Sequence, residues 1–87
     1  IVCDVDSFGI IRYIYTDKEL YSLIYTEDSL IVIGGKEDRQ LEECLPCGYC
    51  RQFMSEFVDK DFRIYNIYEN TVKEYTMEEL LPFAFKL

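Results

Sequence analysis

In the first sixteen residues, "IVCDVDSFGIIRYIYT", apolar and polar positions alternate on both sides of Asp6-Ser7-Phe8-Gly9, which predicts a hairpin turning at 6–9. "DKELYSLIY" (17–25) carries Leu20, Leu23 and Ile24 at helical spacing behind Asp17 as N-cap, and predicts a short helix. "SLIVIGG" (29–35) is a continuous β-branched run closed by two glycines, the pattern of a strand buried on both faces. The charged "KEDRQLEE" that follows reads as a solvated loop.

From Gly48 to Val58 the period changes. Cys50, Phe53, Met54 and Phe57 recur at i, i+3, i+4 and i+7, predicting a helix with one buried stripe that ends near Asp59. "FRIYNI" (62–67) alternates as a strand, "YENT" (68–71) turns, and "VKEY" (72–75) returns. Thr76 and Glu79 have the spacing of a capping box, opening a short helix "MEELL" that Pro82 helps to stop. The expected order is β(β)α-β-α-β-β-α, without internal repeat or linker: a single α/β domain over residues 1–87.

At 87 residues such a domain buries only about 60% of its unfolded surface, so a metal or an oligomer interface would help to stabilise it. The chain begins at Ile1, in an apolar run, as a fragment or a trimmed chain would. A formal charge of −8 argues against binding the phosphate backbone of nucleic acid and favours small neutral or cationic ligands. No apolar run reaches the ~18 residues of a membrane span and no leader pattern is present, so the expected location is cytoplasmic.

Three of the four cysteines, Cys44, Cys47 and Cys50, fall within seven residues. Disulfides among them would be cramped, and thiolate binding of a metal in a reducing compartment reads better. With the helix starting at Gly48, Cys47 is its N-cap and Cys50 lies in its first turn, where unpaired amides and the helix dipole would lower thiol pKa values. Three readings of the residues stay open here: a thioredoxin-like redox pair, a structural zinc site closed by Cys3, Cys44, Cys47 and Cys50, and an iron–sulfur motif lacking its C-x3-C-P continuation.

The flanking residues add a fourth. "PCGYCRQFMSEF" (46–57) together with "YTMEELLPFAF" (75–85) resembles the C-terminal half of cytidine deaminases, with their P-C-G-x-C-R-Q motif and E-L-L-P-x-x-F terminal helix. The match runs in order over residues 29–87; residues 1–28 are divergent or truncated. The resemblance implies a layered α/β/α fold with a small central sheet and hydrolytic deamination of cytidine or deoxycytidine. It also implies zinc held by Cys47, Cys50 and a third His or Cys, with an activated water attacking C4 of the base. Arg51 would help offset the thiolate charge from behind the ligands, or make a surface ion pair. Phe85 would stack on the base, as the matching residue does from a neighbouring subunit in homotetrameric members. The implied partners are a pyrimidine nucleoside and further copies of the chain.

The family's [C/H]-A-E tripeptide, which supplies the third ligand and the proton-shuttling Glu, is not found. The chain has no histidine, and Cys3 is followed by Asp-Val-Asp. Glu19 and Glu27 read as solvated charges, the catalytic carboxylate is unassigned, and the family's N-x-E sugar contacts are not recognisable in residues 1–25. The alternative is a catalytically inactive, zinc-stabilised structural or interaction domain.

Overall fold

The computed structural model describes residues 3–16, 18–38 and 40–81. A small hairpin comes first, β1 (Asp4–Val5) against β2 (Ile11–Tyr13), antiparallel. The expected turn is held by Asp6, whose Oδ1 accepts from the amides of Phe8 and Ile10, and Gly9 takes φ +80°. Asp6 also meets the Arg12 guanidinium at 2.9 Å. The Asx geometry and the glycine together fix the hairpin's register.

Residues 19–25 correct the expected helix: they form a strand, β3 (Glu19–Tyr25), paired antiparallel with β4 (Ser29–Gly35). The pairing steps from Leu20↔Gly34 to Ser22↔Ile33, leaving Tyr21 as an extra residue. A bulge breaks the two-residue period, so Leu20 and Leu23, three apart, both pack on the core. A strand with a bulge thus imitates the spacing of a helix.

The remaining elements are β5 (Leu41–Glu42), α1 (Gly48–Met54), β6 (Arg63–Tyr68), β7 (Thr71–Thr76) and α2 (Met77–Leu80). The central sheet runs β3-β4-β6-β7, with β5 also paired to β4. β6 lies parallel to β4 along residues 29–32, and β5 takes up the same edge of β4 at Gly34 and Gly35. The protein is therefore a small mixed α/β molecule, and α1 lies on the connection between two parallel strands. The charged segment expected as a loop contributes the short strand β5.

β4 is fully buried at Leu30 and Val32, while Ile31 and Ile33 on its other face are half-buried, so it is covered more unequally than expected. Leu30, Val32 and Ile64 share one cluster with Cys3, Ile11, Ile14, Cys50, Met54, Met77 and Leu80, which brings hairpin, sheet and both described helices to one core. Each fully buried Leu or Ile contributes about 1.5–3 kcal/mol. That burial holds α1, a seven-residue helix too short to persist alone.

α1 ends earlier than expected. After Met54 the chain tightens, with the Phe57 amide donating to the Met54 carbonyl at 2.9 Å and the Ser55 hydroxyl donating to the Gln52 carbonyl at 2.7 Å. The tighter turn sends Val58 into the core and leaves Phe57 48% exposed, outside the buried stripe.

Asn66, wholly buried on β6, ties the layers of the sheet. Its Nδ2 donates to the Val32 carbonyl and its Oδ1 accepts from the Cys44 amide, each at 2.8 Å. Glu69 and Asn70 take positive φ between Tyr68 and Thr71, making the expected turn between β6 and β7 a two-residue one. The Thr76–Glu79 capping box is present in both directions. Among the described residues, no helix is long and apolar enough to cross a membrane.

Candidate metal centre and its cleft

Cys47 caps α1 as the spacing predicts: its backbone is extended and its Sγ accepts from the Cys50 amide at 3.4 Å. The pair is clamped from outside the helix by the backbone of Tyr15. The Tyr15 carbonyl accepts from the Cys47 amide at 2.8 Å, and the Tyr15 amide donates to Cys50 Sγ at 3.2 Å. Tyr15 directly follows Ile14, which is fully buried, so packing of the N-terminal segment sets this clamp.

Cys3 joins the pair. Its thiol is hydrogen-bonded to Cys50 and lies near Cys47. Among the described residues, no three His, Cys, Asp or Glu side chains form a ready-made metal group, so these sulfurs are neighbours without forming a closed cage. The donor chemistry nevertheless suits a soft divalent metal. Two thiols of one turn lie beside a third, Cys3, just ahead of β1, and two of the sulfurs already accept amide N–H bonds of the kind that support a bound thiolate.

The thiol acidity expected from the helix start is not found at Cys50. Burial pushes this thiol up to about 12, and the neighbouring Cys3 and Cys47 reinforce that against the opposing Tyr15 amide. Burial raises Cys3 as well. Two buried sulfurs in contact favour their protons until a cation replaces them, so metal uptake here would release protons.

Cys44 belongs elsewhere. It is fully buried, its amide is held by Asn66, and its Sγ packs so closely against Gly34 that a Cβ there would lie 2.6 Å away. The same Cβ would lie 2.4 Å from the Glu19 carbonyl, which explains a glycine at the point where β3, β4 and the Cys44 segment converge.

The bonds that Arg51 makes among the described residues go to two backbone carbonyls. Its Nε donates to the Pro46 carbonyl at 2.8 Å and its Nη1 to the Leu80 carbonyl at 3.1 Å. It thus fixes the turn entering the cysteine pair against the end of α2. Phe85 lies outside the described residues.

A cleft of about 390 Å³ opens beside Cys47, lined by Lys18, Glu43, Leu45, Pro46, Gly48 and Arg51. Its volume is in the range of small-molecule sites. Glu43 Oε2 accepts from the Tyr75 hydroxyl at 2.9 Å, and that bond pushes the Tyr75 phenol above its ordinary pKa. Sequence reading placed Glu43 in a solvated loop and missed it, since nothing in "KEDRQLEE" separates it from the other acids. The Tyr15 clamp is built from backbone atoms and leaves no signal in the sequence. No protein-family model matches the chain.

Proposed function

We propose that the chain is a cytidine deaminase-like zinc protein that hydrolyses cytidine or deoxycytidine to uridine or deoxyuridine and ammonia if the half-site not found as [C/H]-A-E is supplied. The observation that carries this reading is the Cys47–Cys50 pair at the start of α1, clamped by Tyr15 on a β4–α1–β6 unit, with Cys47 lining a cleft of about 390 Å³. The P-C-G-x-C-R-Q spacing supplies the resemblance, and the parallel β4–α1–β6 connection is consistent with the layered fold it implies.

Cys47 and Cys50 would hold zinc, and Cys3, whose thiol is hydrogen-bonded to Cys50, is our candidate for the third ligand. The chemistry zinc supplies in such a site is Lewis-acid activation of water. Arg51 keeps the Pro46–Cys47 turn in position, and its fixed positive charge lowers the cost of gathering thiolates nearby. Phe85 is proposed for base stacking and the assembled form as a homotetramer, both by resemblance, with a cytoplasmic location.

The test is zinc per chain and cytidine-to-uridine conversion for the wild type and for Cys44→Ser, Cys47→Ser and Cys50→Ser. The reading expects one zinc per chain, retained in Cys44→Ser and lost in the other two, and measurable conversion by the wild type. Loss of zinc from Cys44→Ser would defeat this ligand set. Full zinc without conversion would favour a zinc-stabilised, non-catalytic domain.

A further inference from the structure

Among the described residues that line the cleft beside Cys47, one is a carboxylate, Glu43, and the fold fixes where it stands. On one side Glu42 is paired to Gly34 in β5; on the other the Cys44 amide is anchored by the buried Asn66. Cys44 turns fully inward, so its neighbour Glu43 turns outward into the cleft. The carboxylate itself is steadied by the Tyr75 hydroxyl on Oε2. A carboxylate offers about four acceptor positions, of which Tyr75 fills one.

We infer that Glu43 is the specificity-determining residue of this cleft, selecting pyrimidines that carry a 4-amino group over those with a 4-oxo group. This rests on the pyrimidine nucleoside reading above. An ionised carboxylate only accepts hydrogen bonds. It therefore matches the N–H donors of an exocyclic amine and opposes the lone pairs of a carbonyl at the same position. In a deaminase this preference has a direct use: the substrate presents the amine, the product presents the carbonyl, and the site expels what it makes.

The test uses the full chain loaded with zinc and labelled with nitrogen-15, titrated with cytidine and with uridine, while the nucleoside's own proton signals report conversion in the same tube. Cytidine is expected to shift the amide signals of Lys18, Leu45 and Gly48 and to bind about tenfold or more tighter than uridine, the discrimination of one charge-assisted hydrogen bond. Glu43→Gln should bring uridine within about threefold of cytidine, because its Nε2 donates to the 4-oxo group. Glu43→Ala should weaken cytidine to the level of uridine. A cytidine-to-uridine ratio unchanged in Glu43→Gln, or cytidine that leaves those amide signals unmoved, overturns the assignment. The two readings fail separately. Selective binding lost in Glu43→Gln without any conversion upholds Glu43 and defeats the deaminase. Conversion with an unchanged ratio upholds the deaminase and defeats Glu43.

Discussion

The guanidinium of Arg51 donates to the carbonyl of Leu80 at 3.1 Å, joining the cysteine helix to the last described helix across 29 residues of chain. The same side chain holds the Pro46 carbonyl at 2.8 Å, so one planar group serves two carbonyls that point at it from different elements. A lysine ammonium has the charge but not the fork. Arg51→Lys is expected to lose about 1–2 kcal/mol of stability in urea unfolding, with no change in whatever zinc the wild type binds. Unfolding within about 0.3 kcal/mol of the wild type would show that the two bonds hold nothing in place.

Asn66 presents a different situation, because both its partners are buried backbone groups. Asn66→Leu keeps the branching and heavy-atom count, adds methyl bulk, and leaves the Cys44 N–H and the Val32 carbonyl without that side chain. The expected loss is about 2–4 kcal/mol, measurable by urea denaturation and by faster hydrogen exchange at the Cys44 amide. An unchanged midpoint would mean that water takes over both bonds.

Gly34 is expected to accept no side chain. A Cβ would meet the Glu19 carbonyl at 2.4 Å and Cys44 Sγ at 2.6 Å, one of them rigid backbone. Gly34→Ala should cost at least about 2 kcal/mol, and adding Cys44→Ala should restore only part of that, since the carbonyl contact persists. Complete rescue by the second substitution would place the whole conflict on the sulfur.

Acid should loosen the first hairpin through Asp6. Burial there works to raise the carboxyl pKa, but the amides of Ile10 and Phe8 and the Arg12 guanidinium outweigh it and hold it below its ordinary value of 3.8. A carboxyl whose pKa is lower folded than unfolded stabilises the fold above the unfolded value, and that contribution fades as pH falls through the folded one. Between about pH 5 and pH 2 the wild-type hairpin is therefore expected to weaken more than that of Asp6→Asn, followed by the Gly9 and Ile10 amide shifts. Parallel titration curves for the two proteins would remove Asp6 from the acid response.

Much of this architecture is legible in the chain. The Asp6–Gly9 turn, the Glu69–Asn70 turn and the Thr76–Glu79 box are local devices whose geometry depends on residues within four positions of one another, and all three are found where the spacing puts them. The errors come from contacts made at a distance. Tyr21 is an extra residue only because β4 runs alongside it, and without that partner Leu20 and Leu23 read as one helical face. Phe57 leaves the buried stripe because the turn after Met54 tightens, a choice made where Val58 finds the core.

The site divides in the same way. Cys47 and Cys50 are recognisable from spacing and flanks, whereas the approach of Cys3 depends on a hairpin folding back over 44 residues of sequence. Glu43 is one acid in a run of charges until Cys44 is seen to turn inward beside it.

The clamp on the cysteine pair consists of a peptide N–H and a peptide C=O, both from Tyr15, whose own side chain is 53% exposed. Nineteen of the twenty amino acids carry that same N–H and C=O, so the support is indifferent to almost any substitution at this position. Proline alone deletes the donor. Related chains could therefore share the clamp while showing no common letter at residue 15, and a search for it must compare backbone paths instead of aligned side chains.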